Sequence, residues 1–338
     1  MNRRGFLGTG LAGVAATAVA APAGAGKHAL PYNPRTEKAM PMHNLGRTGF
    51  RVGILSLGGQ ATIEIAGREA ESEQIINRAM DLGVNYIDSA AGYGKGVSEL
   101  NIGRVIKTRR KEAWITSKTA DRSYDGSMKI LEQTLKNMQT DHLDLWQIHN
   151  LQTQAQLDQI FAPNGAMKAL EAARSQGMAN FLGVTGHYEP SVLAEAIRRF
   201  PFDTLLLAIN AADRHYLSFI EHLLPLAQEM KLGTISMKVV TRGRVLSTWT
   251  PPPVEQQPQS ARTSRPGTLT IEEALSYNLS LPVSTTIIGV DSVAQLEQNV
   301  KLASNFTPLS DMQLTALEKK TLPIVRQALY FRRWDLGA

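Results

Sequence analysis

The feature that most constrains this chain is an alternation. From residue 45 onward, short apolar runs rich in β-branched residues alternate with longer amphipathic stretches. The runs cover 54–57, 86–89, 113–117, 143–148, 181–185, 204–209, 234–237 and 285–288. Unbroken apolar character over a short run marks a strand buried on both faces, and such strands belong to parallel sheets covered by helices. Amphipathic stretches at 71–82, 125–138, 165–176, 190–200 and 219–230 fit between them, and Leu82-Gly83, Gln176-Gly177 and Leu232-Gly233 supply glycine stops. The reading is α/β, with eight strand–helix units. Periodicity leaves two closures open, a barrel and an open doubly wound sheet.

Two segments interrupt the alternation. Residues 44–52 carry Arg47-Thr48-Gly49 between short extended runs, which predicts a small hairpin. Residues 250–267 are too proline-rich for regular structure and predict a long loop after the seventh strand. Ahead of the repeat, Arg3-Arg4 and Phe6-Leu7 precede an apolar run over 11–21 that ends in small residues. That pattern reads as a signal peptide over 1–25, of the twin-arginine type, handled by the twin-arginine export machinery and leaving a periplasmic or secreted protein. The run is too short and too rich in Ala and Gly for a stable membrane span. Residues 26–41 read as a tether, and 42–338 as a single domain.

Composition narrows the chemistry. The chain has no cysteine, which excludes thiolate catalysis, disulfides and Cys-based metal sites. A net charge of +6 with interleaved acids and bases argues against nucleic acid as a partner. Hydrophobic residues make up 43%, ample for one large core.

Asp88, Lys118 and His149 stand at or just beyond the ends of successive runs, and Tyr93 lies in the loop after Asp88. In a barrel such ends converge on the face that carries active sites. The stretch from Tyr86 to Gly94 (YIDSAAGYG), Ile115-Thr116-Ser117-Lys118 and Gln147-Ile148-His149 resemble the aldo-keto reductase family. Leu45-Gly46-Arg47-Thr48-Gly49, Gly183-Val184-Thr185 and Ile288-Gly289-Val290 extend the resemblance over about 45–303. It implies a single-domain (β/α)₈ TIM barrel and an NAD(P)-dependent oxidoreductase acting on a small carbonyl or alcohol. Tyr93 is then the general acid/base, Lys118 and Asp88 tune it, His149 orients the carbonyl oxygen, and no metal is needed. The chemistry is coherent. An ammonium beside a phenol stabilises the phenolate, and a carboxylate keeps that ammonium charged. Glu99 also matches the family, with a supporting role on a helix surface expected.

For the cofactor, NADP or NAD, the resemblance points to Thr185 and His187 after the fifth strand, Asn210 after the sixth, and Met237 and Lys238 after the seventh. Arg242 and Arg244 are placed to meet a pyrophosphate, and Gly289, Gln295, Gln298 and Asn299 to meet the adenosine. Where the family commonly carries Lys and Arg for a 2′-phosphate, this chain has Gly289 and Gln295, with Asp291 nearby, which weakens NADP. Gln60, Trp249 and the 250–267 loop are expected at the substrate pocket. Two other readings share the scaffold: a nucleotide-binding sensor, and a Schiff-base aldolase using Lys118 or Lys238.

Overall fold

A computed structural model describes residues 27–257 and 259–334. The expected signal peptide lies outside these residues. Eight parallel strands close into a barrel: β3 (Leu55–Gly58), β4 (Tyr86–Asp88), β5 (Trp114–Thr119), β6 (Leu143–Ile148), β7 (Ala179–Gly186), β8 (Thr204–Ala208), β9 (Gly233–Met237) and β10 (Thr285–Ile288). β10 pairs with both β9 and β3, which removes the sheet edges and settles the closure in favour of the barrel. Helices after each strand form the outer ring. The expected helix over 219–230 is broken into Phe219–His222 and Leu224–Glu229, with a proline at the start of the second piece.

Strand periodicity explains the inner face. Successive strand residues point to opposite sides, so i and i+2 share one. Tyr86, Trp114, Leu145, Phe181, Leu206, Ile235 and Ile287 share a cluster apart from the main strand–helix core. Counting upward by two from this layer reaches Asp88 on β4, Lys118 on β5 and Gln147 then His149 at β6. The apolar layer and the polar site are thus successive levels of one inward-facing surface.

The hairpin expected at 44–52 is β1 (Met42–Asn44) and β2 (Arg51–Gly53), paired antiparallel. It brings Leu45 and Phe50 against the inner layer at the N-terminal mouth. Gly46 has φ +56°, and a Cβ there would lie 2.2 Å from the Gly233 nitrogen, so the hairpin seats only with glycine. The tether reading is corrected from residue 27 onward. Tyr32 N donates to Lys111 O at 2.7 Å, Asn33 Nδ2 to Met80 O at 2.8 Å, and Met40 is buried. This segment is a packed strap, because its apolar and amide side chains find partners on the outer helices.

Candidate active site

At the C-terminal mouth, Lys118 and Asp88 form a buried pair. Lys118 Nζ lies 2.7 Å from both Asp88 carboxylate oxygens and 2.6 Å from Ser89 O. An ammonium has three N–H bonds, and all three are taken. Burial pushes the Lys118 pKa down and that of Asp88 up, and each partner's charge opposes the shift of the other.

Tyr93 sits over this pair, its ring centroid 5.0 Å from Lys118 Nζ. A tight turn holds it there: Gly94, Lys95 and Gly96 are all left-handed, and a Cβ on Gly94 would come 2.0 Å from Glu64 O. Burial raises the phenol well above its ordinary pKa, and the Asp88 and Glu64 carboxylates add to the rise. Lys118 gives this phenol no hydrogen bond, because its three N–H groups are committed to Asp88 and Ser89. Its charge acts on Tyr93 from 5.0 Å, and burial outweighs it.

His149 meets the Tyr93 ring edge-on at 5.8 Å. Its backbone is fixed by donation to Thr119 O at 2.8 Å, and its carbonyl accepts from Arg122 at 2.8 Å. Burial, then the charges of Lys118, Arg122 and Lys238, push its imidazole down to about 3. At neutral pH it is uncharged, with one N–H to donate. The four residues singled out by sequence are thus brought together around one opening.

That opening continues as a groove of about 770 Å³ from Asp88 and Tyr93 to Asn299. Met237, Lys238, Arg242, Gly289, Gln295 and Gln298 line it, as does Asn299, along with Gln60 and Trp249. The loop after β9 is tightly wound: Lys238, Thr241, Arg242 and Gly243 all have left-handed φ. Consecutive left-handed residues turn main-chain N–H groups toward a common side, a concavity suited to an anion. Burial, then repulsion from Arg242 and Lys118, lowers Lys238 to about 8.

Three expected cofactor residues lie elsewhere. Thr185 Oγ1 accepts from Asn150 N at 2.8 Å and so shapes the His149 loop from below. Asn210 is buried behind the groove, donating to Lys238 O, Thr241 Oγ1 and Ala328 O. Arg244 is turned away, donating to Gln257 Oε1 at 3.2 Å and Ala261 O at 2.9 Å between the rings of Trp249 and Tyr330. Its fork matches carbonyl acceptors of the 250–267 loop, and it pins that loop. His187 lies beside the groove, its Nδ1 2.9 Å from Asn150 Oδ1.

Glu99 also differs from expectation. It is buried, accepting from Ser117, Thr134 and Asn137 at 2.7, 2.8 and 3.0 Å, and it braces β5 beneath Lys118. Sequence reasoning missed Glu64, whose carboxylate reaches both Tyr93 and Arg242 electrostatically, and Ser89 O, the third acceptor for Lys118. A main-chain acceptor leaves no trace in residue type.

Known proteins resemble this chain over most of its length. The oxidoreductase YqkF of Bacillus subtilis is 22% identical over 315 residues, 83% of this chain and 97% of its own. L-galactose dehydrogenase of Arabidopsis thaliana is 25% identical over 301 residues, 82% of this chain and 92% of its own. A solved aldo-keto reductase of Bacillus halodurans superposes with TM-score 0.68 at 24% identity, covering 83% of this chain and 96% of that one, and shares the fold. Residues 52–321 match the aldo/keto reductase family, and the chain belongs to that family of oxidoreductases.

Proposed function

We propose that the protein interconverts a small carbonyl compound and its alcohol, with NAD as cofactor and Tyr93 as proton donor and acceptor. The observation that carries this reading is the half-buried phenol at the head of the groove, above a Lys118–Asp88 pair whose donors are fully used. A bound nicotinamide supplies hydride to the carbonyl carbon, or takes it in the reverse direction. The side chains manage the oxygen. Tyr93, held protonated by burial, gives its proton as negative charge grows there. His149, kept neutral, donates its N–H to the same oxygen and fixes its position. The Lys118 charge, balanced by Asp88, keeps a positive centre under the phenol while Tyr93 is deprotonated.

The groove fits such a cofactor. Met237, beside Tyr93, would hold the nicotinamide at that end. The wound loop at 238–243 and Arg242 would hold the diphosphate, and Gly289, Gln295, Gln298 and Asn299 the adenosine. Asp291 lines this far end, no Lys or Arg among the described residues does, and Gln298 is held by Glu272 at 3.2 Å. A 2′-phosphate would meet a carboxylate without a cation, while a free 2′-hydroxyl can donate to it. NAD is therefore favoured over NADP. Titration with each reduced nucleotide tests this: NADH is expected to bind roughly tenfold tighter or more. Failure of both to bind would end the reading, and tighter NADPH would end the preference.

The export reading of residues 1–25 has a separate test, the N-terminal mass of protein recovered outside the cytoplasm. A mass that retains residue 1 would refute cleavage.

A further inference from the structure

Beside the cofactor groove lies a second cavity of about 560 Å³ at the same mouth. Asn150 and His187 form its barrel side, and Arg326, Phe331 and Trp334 its C-terminal side. Lys238 lines both cavities and so stands where they meet. With the groove filled by nucleotide, this cavity is the space left next to His149 for the body of a substrate.

Its walls are pre-formed. Arg332 donates to His187 O at 2.7 Å and Ala208 O at 2.8 Å, pairs with Asp213, and lies 3.8 Å over the Phe219 ring. Trp334 stacks on Tyr216 at 4.0 Å and donates to Leu329 O at 2.8 Å. These contacts clamp the C-terminal segment onto the barrel rim.

The charges in the cavity are one-sided. Among the described residues no Asp or Glu lines it. The Arg332 charge is answered by Asp213, and burial together with the neighbouring cations keeps His187 neutral. Two cations remain. Among the described residues neither Lys238 nor Arg326 has a carboxylate within salt-bridge distance. Lys238 Nζ has only Gln60 Oε1, at 3.3 Å, and the Arg326 guanidinium lies over the Trp334 ring at 5.3 Å. Lys238 is largely shielded, with Asp88 and Glu64 acting on it only from a distance, and an incoming anion relieves the cost of its charge; Arg326 is exposed and free to meet the same anion.

We propose that this cavity binds the anionic group of the substrate, so that the carbonyl compound carries a carboxylate or phosphate paired with Lys238 and Arg326. The proposal deepens the reductase reading and rests on it for the position of the carbonyl. An alternative duty for Lys238, pairing with the cofactor diphosphate, gives a different outcome below.

The test uses the NADH-loaded protein and matched pairs: 4-oxobutanoate against its methyl ester, and glyceraldehyde 3-phosphate against glyceraldehyde. At least one anionic member is expected to exceed its neutral partner in kcat/KM by roughly tenfold or more, through KM, and the pair that responds separates carboxylate from phosphate. Arg326→Gln and Lys238→Gln should each collapse that ratio toward one. A binding arm works without turnover: succinate or inorganic phosphate should bind the loaded protein and succinamide should not. Equal kcat/KM within both pairs, or no binding of either anion, would overturn the proposal while leaving the reductase reading standing. A Lys238→Gln protein that loosens NADH yet keeps the anion ratio would assign that lysine to the diphosphate and overturn it too. Turnover absent for all four compounds alongside succinate or phosphate binding would sink the reductase reading and uphold the anion site.

Discussion

The two mouths of the barrel are built from opposite materials. At the N-terminal mouth, Phe50, Trp114 and Phe181 pack ring against ring, with centroids 4.7 and 5.3 Å apart. The acids there stand beside cations: Asp144 takes Ile115 N at 2.8 Å with Arg110 at 2.9 Å, and Asp203 takes Leu182 N at 2.8 Å with Arg174 at 3.8 Å. At the C-terminal mouth, Asp88 is committed to Lys118, while among the described residues Lys238 and Arg326 have no carboxylate in salt-bridge reach. One end packs rings and pairs its acids with cations, and holds the barrel shut. The other holds cations open to a ligand, which is how stability and chemistry divide on this fold.

The largest expected separation of the two comes from Tyr93→Phe. It removes one hydroxyl from the active mouth and should lower kcat for carbonyl reduction by about 10²–10⁴-fold. NADH affinity and the unfolding midpoint should stay near wild type, since among the described residues no group depends on that hydroxyl for its hydrogen bond. Turnover that survives the change would remove Tyr93 from the mechanism.

Trp114→Ala is the mirror experiment. It empties a fully buried site at the closed mouth and should cost about 3–5 kcal/mol of stability in denaturant titration. Turnover per folded molecule should be little changed. A large loss of kcat in the folded fraction would show that the two levels of the barrel are coupled.

Arg332→Ala falls between these two. It strands Asp213 in a buried position, and breaking such a pair typically costs about 3–5 kcal/mol. It also frees the C-terminal segment, so KM for an anionic substrate should rise along with the instability. Loss of stability alone would limit the clamp to folding.

How much of this was legible in the sequence follows the same division. Strands buried on both faces announce themselves by apolar runs, so β6 and β10 fall within the residues expected of them. The helix Val97–Arg109 gives no such signal, because its buried face includes Ser98, Glu99 and Asn101. Asp88, Tyr93, Lys118 and His149 were readable because their types and order are unusual together. The destinations of Arg244 and Asn210 were not, because both donate to main-chain oxygens that no residue identity encodes. Nor was the commitment of Lys118 to Ser89 O, which leaves its charge and not a hydrogen bond to act on Tyr93.

Protonation sharpens the contrast at smaller scale. With His149 near 3 and the Tyr93 phenol held high, neither changes charge between pH 6 and 8, so kcat for reduction should be flat there. Oxidation needs Tyr93 deprotonated and should rise roughly tenfold per pH unit in the same range. Lys238, near 8, is charged below that pH and neutral above it, so preference for an anionic substrate should be full at pH 6.5 and fade by pH 9.5. A bell centred near pH 6.5 in the reductive kcat would instead mean that His149 carries a proton in the loaded enzyme.

The smallest effect belongs to neither mouth. Arg78 and Glu297 join helices Glu69–Asp81 and Val293–Ser304 on the outer ring at 2.7 Å, with side chains 45% and 44% exposed. Water screens such a pair, and ordering two long side chains offsets most of its attraction, so exposed pairs contribute about 0–1 kcal/mol. Arg78→Gln should therefore shift the denaturant midpoint by little and leave kcat, KM and nucleotide affinity unchanged. That control matters because Arg78 and Arg332 are both ion-paired arginines, but Arg78 is exposed while Arg332 is buried and also holds His187 O and Ala208 O. If Arg78→Gln cost as much as Arg332→Ala, burial would not be what ranks the ion pairs of this barrel, and the assignment of stability to its enclosed layers would lose its physical basis.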